Sequence, residues 1–222
     1  MKKQKWMIGS AILLAVLIVA GGTMAWFTAT TPAVKNEFKA GTVKIELIDK
    51  FKGAPNVNPG DCYSKKIYVK NTGTKKAYIR IKADAVFKDV NGNLLSNDVL
   101  RYGIDGPNIW NLLEGWTQKD GYFYYSRIVH PGHYTKPLLK CNRICFDGPS
   151  MGNEYQGAKL DITVKADAIQ ATHNAIQAEW GVSFPTVMPF SDEEPVEEML
   201  TEQDVLDILA QEDAAFEALG LE

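Results

Sequence analysis

The side chains best suited to hold a metal lie in one short stretch. His130-Pro131-Gly132-His133 is followed by Cys141 and Cys145, four nitrogen and sulfur donors within sixteen residues, of the types zinc takes. Four protein ligands would close the coordination shell and give a structural rather than a catalytic centre. The spacing matches no well-attested zinc site, and Pro131-Gly132 sets the two histidines across a tight turn, where exposed histidine is ordinary. The sequence is therefore read as binding no metal or other cofactor. None of His130, His133 and His173 is followed by Glu, so His-Glu-x-x-His does not occur. Gly-x-Ser-x-Gly, a phosphate-binding glycine loop and convincing paired carboxylates are also missing, and no catalytic residue is assigned. The cysteines, Cys62, Cys141 and Cys145, are three, so at most one pair closes within the chain. Cys141 and Cys145 lie four apart in what reads as a strand or strand end, sharing a face but too distant to bridge. That leaves Cys62 paired with Cys141 or with Cys145.

The elements that must carry these residues are strands. Val43-Lys44-Ile45-Glu46-Leu47, Ile79 to Phe87 and Leu160 to Ala168 alternate apolar and polar residues, the pattern of a half-buried strand. Ile67 to Val69 reads as another strand, and Trp116 to Lys119, Tyr122 to Val129 and Leu138 to Phe146 are rich in aromatic and branched residues. Asp120-Gly121, Pro131-Gly132, Asn91-Gly92 and Asn71-Thr72-Gly73-Thr74 supply turns. Within Tyr122-Phe123-Tyr124-Tyr125, alternation puts Phe123 and Tyr125 on one face and Tyr122 and Tyr124 on the other, which is two-sided packing rather than a carbohydrate platform. Many short strands with regular turns predict an all-β sandwich or jelly roll. The C-terminus differs: Val196, Leu200, Val205, Ile208, Leu209, Phe216 and Leu219 recur near helical spacing among acids. Thr201 with Asp204 forms a capping box, so Thr201 to Leu219 is predicted as an amphipathic helix. Pro185, Pro189 and Pro195 mark the linker before it.

The N-terminus specifies export. Met1-Lys-Lys-Gln-Lys5, an uncharged run from Trp6 to Gly22 and the triplet Thr23-Met24-Ala25 make a signal peptide with a small-x-small cleavage site. Cleavage before Trp26 would leave a secreted chain. Uncleaved, the 22 apolar residues from Trp6 to Phe27 would serve as a membrane anchor, since roughly 20 suffice to span a bilayer. From Ser191 to Glu222 there are twelve acidic residues and no Lys or Arg, against 27 acidic and 24 basic in the whole chain. A net-positive domain thus precedes an acidic tail. The basic residues mostly alternate with apolar ones along strands, as on any wet face, and nucleic-acid binding is not expected. The organisation expected is residues 1–25 signal peptide, 26–41 N-terminal segment, 42–184 β domain, 185–199 Pro/acidic linker and 200–222 acidic helix.

Short pieces in order along the chain resemble the TasA/camelysin family of exported Gram-positive proteins. They are Gly21-Gly22-Thr23-Met24-Ala25-Trp26-Phe27, Phe38-Lys39-Ala40-Gly41-Thr42-Val43, Asn58-Pro59-Gly60-Asp61, Val69-Lys70-Asn71-Thr72-Gly73, Tyr155-Gln156-Gly157 and Val164 to Ala171. The resemblance implies removal of the signal by a SipW-type peptidase and a jelly-roll subunit of surface or biofilm-matrix fibres. It also implies head-to-tail assembly, in which the freed N-terminal segment of one copy adds as a strand to the next. Trp26, Phe27, Val34 and Phe38 are the apolar residues of that donor, and an unpaired sheet edge is a natural template for it. The acidic helix is then available to another matrix protein. Two other readings are a camelysin-like surface metalloprotease, which would need zinc at an open site, and a monomeric adhesin or accessory subunit.

Overall fold

Alternation in the sequence becomes strands of two sheets. The computed structural model describes residues 41–51, 57–103, 109–172, 174–182 and 197–220, and of Glu197 and Glu198 the backbone alone. The signal peptide, the donor segment up to Ala40 and residues 183–196, which include most of the linker, lie outside the described residues. The strands are β1 (Ile45–Phe51), β2 (Cys62–Asn71), β3 (Ala77–Lys88), β4 (Leu94–Leu95), β5 (Leu100–Tyr102), β6 (Trp116–Lys119), β7 (Tyr122–Tyr125), β8 (Ile128–Val129), β9 (Arg143–Phe146), β10 (Lys159–Gln170) and β11 (Glu197–Glu198). The helices are α1 (Ala175–Trp180) and α2 (Glu202–Ala218). The first sheet has the order β1-β2-β9-β5. The second is built on β3, which pairs antiparallel with β10 from Ala77↔Gln170 to Lys88↔Lys159. The other edge of β3 meets β8 at Ala77, β7 at Arg80 and Ile81, and β4 at Phe87 and Lys88. β6 extends this sheet beyond β7, and β11 extends it beyond β8. The fold is an all-β sandwich.

Between the sheets lie Ile67 and Val69 of β2, Ile79, Ile81 and Phe87 of β3, and Phe123, Tyr125, Leu100, Ile144 and Phe146. Phe87 packs at 6.0 Å from Phe146 and 5.1 Å from Tyr155, whose hydroxyl donates to the Ser96 carbonyl. Alternation is obeyed in the aromatic run. Phe123 and Tyr125 join this core, while Tyr122 and Tyr124 face outward with Tyr78 and are covered by Ile176 and Trp180 of α1. There the Arg80 guanidinium sits over Tyr122 (4.0 Å) and Trp180 (4.7 Å) and pairs with Asp167.

The expected strand from Leu138 to Phe146 is confined to β9, because Lys140–Asn142 forms a 3-10 turn. Cys141 and Asn142 take φ of 56° and 48°, left-handed values uncommon outside glycine. Cys141 is therefore not on a strand, and its N–H donates to Glu212 of α2 at 2.6 Å. Cys62 and Cys145 lie opposite each other in the β2–β9 register and are joined by a disulfide; Cys141 is free and buried. Closing an 83-residue separation removes unfolded-state entropy worth about 4.5 kcal/mol in the chain-entropy account.

A buried charge breaks the apolar pattern on the inward face of β2. Lys65 is 1% exposed, and its Nζ lies 2.6 Å from Asp49 and 5.0 Å from the Phe51 ring centroid. A buried charge needs its counter-charge more than the fold needs the pair. Asp49→Ala is expected to lower unfolding free energy by about 3–5 kcal/mol in denaturant melts. Joint replacement by Lys65→Met and Asp49→Leu should recover most of that loss.

Candidate functional site

One flank of the sandwich is unclosed. Among the described residues β1 hydrogen-bonds to β2 alone and β10 to β3 alone, and these two edge strands lie beside each other. The inward row of β10, Leu160, Ile162, Val164, Ala166 and Ala168, is only half-buried, as are Ile45 and Leu47 of β1. Their partners Ile79 and Ile81 on β3, one strand further in, are 0% exposed. The backbone groups of β10 that point away from β3 form a twelve-residue edge, the geometry that accepts an added strand. The described chain starts next to it. Thr42 N donates to Thr74 Oγ1, and the N–H groups of Thr72 and Thr74 donate to the carbonyls of Lys44 and Thr42.

Two of the short sequence pieces have defined local work. Asn71 is fully buried: its Nδ2 donates to the carbonyls of Lys75 (2.8 Å) and Val129 (2.9 Å), and its Oδ1 accepts from Gly73 N. A side chain at Gly73 would strike the Thr42 carbonyl, 2.5 Å from an added Cβ. Asp61 accepts from the Asn58 backbone and amide and from the Tyr63 hydroxyl, and these bonds, led by the Asn58 N–H, hold its carboxyl below the usual range. Both pieces fix turns that set register between strands.

The four metal-ligand candidates are not brought together. Cys145 is committed to the disulfide, Cys141 is packed with Cys145 and Phe216 under α2, and His130 and His133 face each other edge-on with ring centroids 6.3 Å apart. Among the described residues no three His, Cys, Asp or Glu side chains are grouped so as to hold a metal ion. His173 lies outside the described residues. Burial, reinforced by Glu212, pushes the Cys141 thiol up despite Arg143 and Lys140, so it stays protonated near neutral pH.

The residues that sequence reading left without a place are those under the C-terminal strap. β11 pairs parallel with β8, and Leu200 O accepts from Tyr134 N (3.0 Å) and His133 Nδ1 (3.3 Å). Thr201 then caps α2 in the expected capping box with Asp204. Val205 and Leu209 pack on Tyr68 and Ile48 of the outer face of the first sheet and on Tyr134 beside it, and Phe216 packs beside Cys141 and Cys145. Asp213 pairs with Lys66 (2.6 Å) and Arg143 (2.7 Å), while Arg143 also lies over the Phe216 ring. Burial raises the Asp213 carboxyl, but the hydrogen bonds and charges of Lys66 and Arg143 outweigh it and hold it below its ordinary value. The signal was present in the amphipathic spacing of the tail; the identity of its cover was not.

A β-sandwich with an unclosed flank and a docked acidic helix is the class that the fold defines. The camelysin metallo-endopeptidase family matches residues 1–102, a stretch that carries the first four sequence pieces, through Val69-Lys70-Asn71-Thr72-Gly73. The match covers just under half of the chain and supports its assignment as an exported surface protein of the TasA/camelysin family. Tyr155-Gln156-Gly157, β10 and the strap lie beyond the matched residues. No curated protein matches the chain. Among the described residues, His130, His133, Cys141 and Cys145 are not placed to form a zinc peptidase centre. No helix among the described residues is long and apolar enough to cross a membrane.

Strap docking is expected to rest on the inward face of α2. Leu209→Ala should weaken it by about 2–4 kcal/mol, read as lost hydrogen-exchange protection across α2. Leu206→Ala, at a position 42% exposed, should change it by no more than about 0.5 kcal/mol. A carboxyl whose folded pKa is depressed stabilises above its unfolded value, and that stability is lost as pH falls through the folded one. Asp213 and Asp204 are both depressed, so α2 protection should hold from neutral pH down to about 4 and decline below it. The same titration on Asp213→Asn should be flatter.

Proposed function

We propose that this chain is an exported structural subunit of extracellular surface or biofilm-matrix fibres, assembling by strand donation after signal-peptide cleavage. The donor is the stretch from Trp26 to Phe38 of one copy, and the acceptor is the β10 edge of the next. The observation that carries the reading is the half-buried apolar row of β10 beside a twelve-residue edge that no described strand hydrogen-bonds. The donor has thirteen residues, close to the length of that edge, and Trp26, Val34 and Phe38 are even numbers of residues apart. They would share one face of an extended strand and could cover the row. Pro32 forgoes one ladder bond, which an edge position tolerates. Before cleavage the donor is tethered to the signal segment, so a SipW-type peptidase acts as the switch for assembly. The jelly-roll connectivity and head-to-tail polymer implied by the family belong to this reading.

The test compares purified chains beginning at Trp26 and at Gly41 by size-exclusion chromatography and electron microscopy. Filaments are expected from the first and monomers from the second. In the Trp26 form, Val164→Arg on the inward row should abolish filaments, and Lys165→Glu on the outward face should leave them. If the Trp26 and Gly41 forms both stay monomeric, strand donation is wrong and the adhesin reading takes its place.

A further inference from the structure

The strap and the surface that seats it form a separable pair. From Glu197 to Gly220 the sequence holds eight acids and no Lys, Arg or His. It sits over the cations Lys66 and Arg143 and the apolar side chains Tyr68, Tyr134 and Ile48. The strap interactions described above all run to body residues between Ile48 and Cys145. Its covalent link to the body, by contrast, passes through residues 183–196. Connections between neighbouring elements of a domain usually take about 4–6 residues, and this one has fourteen, three of them proline, a spacer composition. Fully extended, the path from Val182 to Glu197 reaches up to about 50 Å, enough to lay the strap on an adjacent molecule.

We propose that this seat is an interaction surface for the strap of a second copy of the chain, the two copies exchanging straps reciprocally. Exchange keeps every contact of the docked strap, because the incoming helix has the same sequence and meets the same seat. Competition comes from the chain's own strap, which a short tether typically holds at an effective concentration on the order of millimolar. Dilute chains therefore keep their straps, and chains packed at comparable local concentration trade them. Strap exchange uses a different surface from strand donation. The seat is on the outer face of β2 and β9, whereas the acceptor edge is β10.

The test removes the competition. One variant carries Lys66→Asp and Arg143→Asp, so its seat repels its own strap; the other carries Asp213→Lys, so its strap is repelled by its own seat. In a mixed pair both exchanged straps meet matching charge, while in either variant alone none does. Analytical ultracentrifugation of the variants in chains beginning at Gly41, which lack the strand donor, should show each variant as a monomer and the mixture as a heterodimer that dissociates with added salt. Two folded variants, verified by circular dichroism, that stay monomeric when mixed would overturn the proposal. Wild-type protein supplies a check that needs no variant. Isotopically heavy and light chains, mixed and concentrated, are treated with a zero-length carbodiimide, and the Lys66–Asp213 cross-linked peptide is weighed. Mixed heavy–light peptides are expected; purely heavy and purely light ones would overturn the proposal equally.

Discussion

The central constraint on this molecule is the register of β3. Its twelve residues are paired along one whole side with β10 and along the other with β4, β7 and β8 in turn. A slip of one residue would carry Ile79, Ile81 and Phe87 to the wet face, taking the core of both sheets with them. Asn71 and the turn after it hold that register from one end, since its amide joins the turn leading into β3, at Lys75, to the end of β8. The unclosed flank follows from the same arrangement. Among the described residues β3 has partners on both sides, and β10, its longest partner, has one.

What was legible in the sequence is what depends on near neighbours. Alternation in Ile79 to Phe87 and in Leu160 to Ala168 marked the strands and their dry faces, because side-chain direction there is set by a period of two. The true length of β2 was hidden by Lys65 and Lys66, since Lys65 turns inward to Asp49 against the rule for charges. The turn at Cys141 was hidden for another reason. Its N–H is satisfied by Glu212, 71 residues later, and no local pattern reports a distant acceptor. α1 has six residues and β11 two, too short for periodicity to declare. The tail's apolar stripe announced a helix that must be covered, while the cover, Tyr68 and Tyr134, lies on another element altogether.

The strap combines two kinds of interaction with different jobs. Val205, Leu209 and Phe216 are the buried residues of α2, and apolar side chains of this size contribute roughly 2 kcal/mol each when removed from water. Asp213 adds direction more than strength, since paired charges fix register and reject mismatched surfaces. Arg143 links the two, with its guanidinium on the Phe216 ring and one nitrogen on Asp213.

The bond between Cys62 and Cys145 has a bearing on when the protein can finish folding. Such bonds form in oxidising surroundings and not in the reducing cytosol. Inside the cell β2 and β9 are thus held together by three register pairs without their covalent tie. The platform for Phe216 includes Cys145 and Cys62 themselves, so the last turns of α2 gain their full footing only once that tie is made. A chain exported before that tie is made would stay looser, and easier to thread through a translocation channel, for as long as it remained on the near side of the membrane.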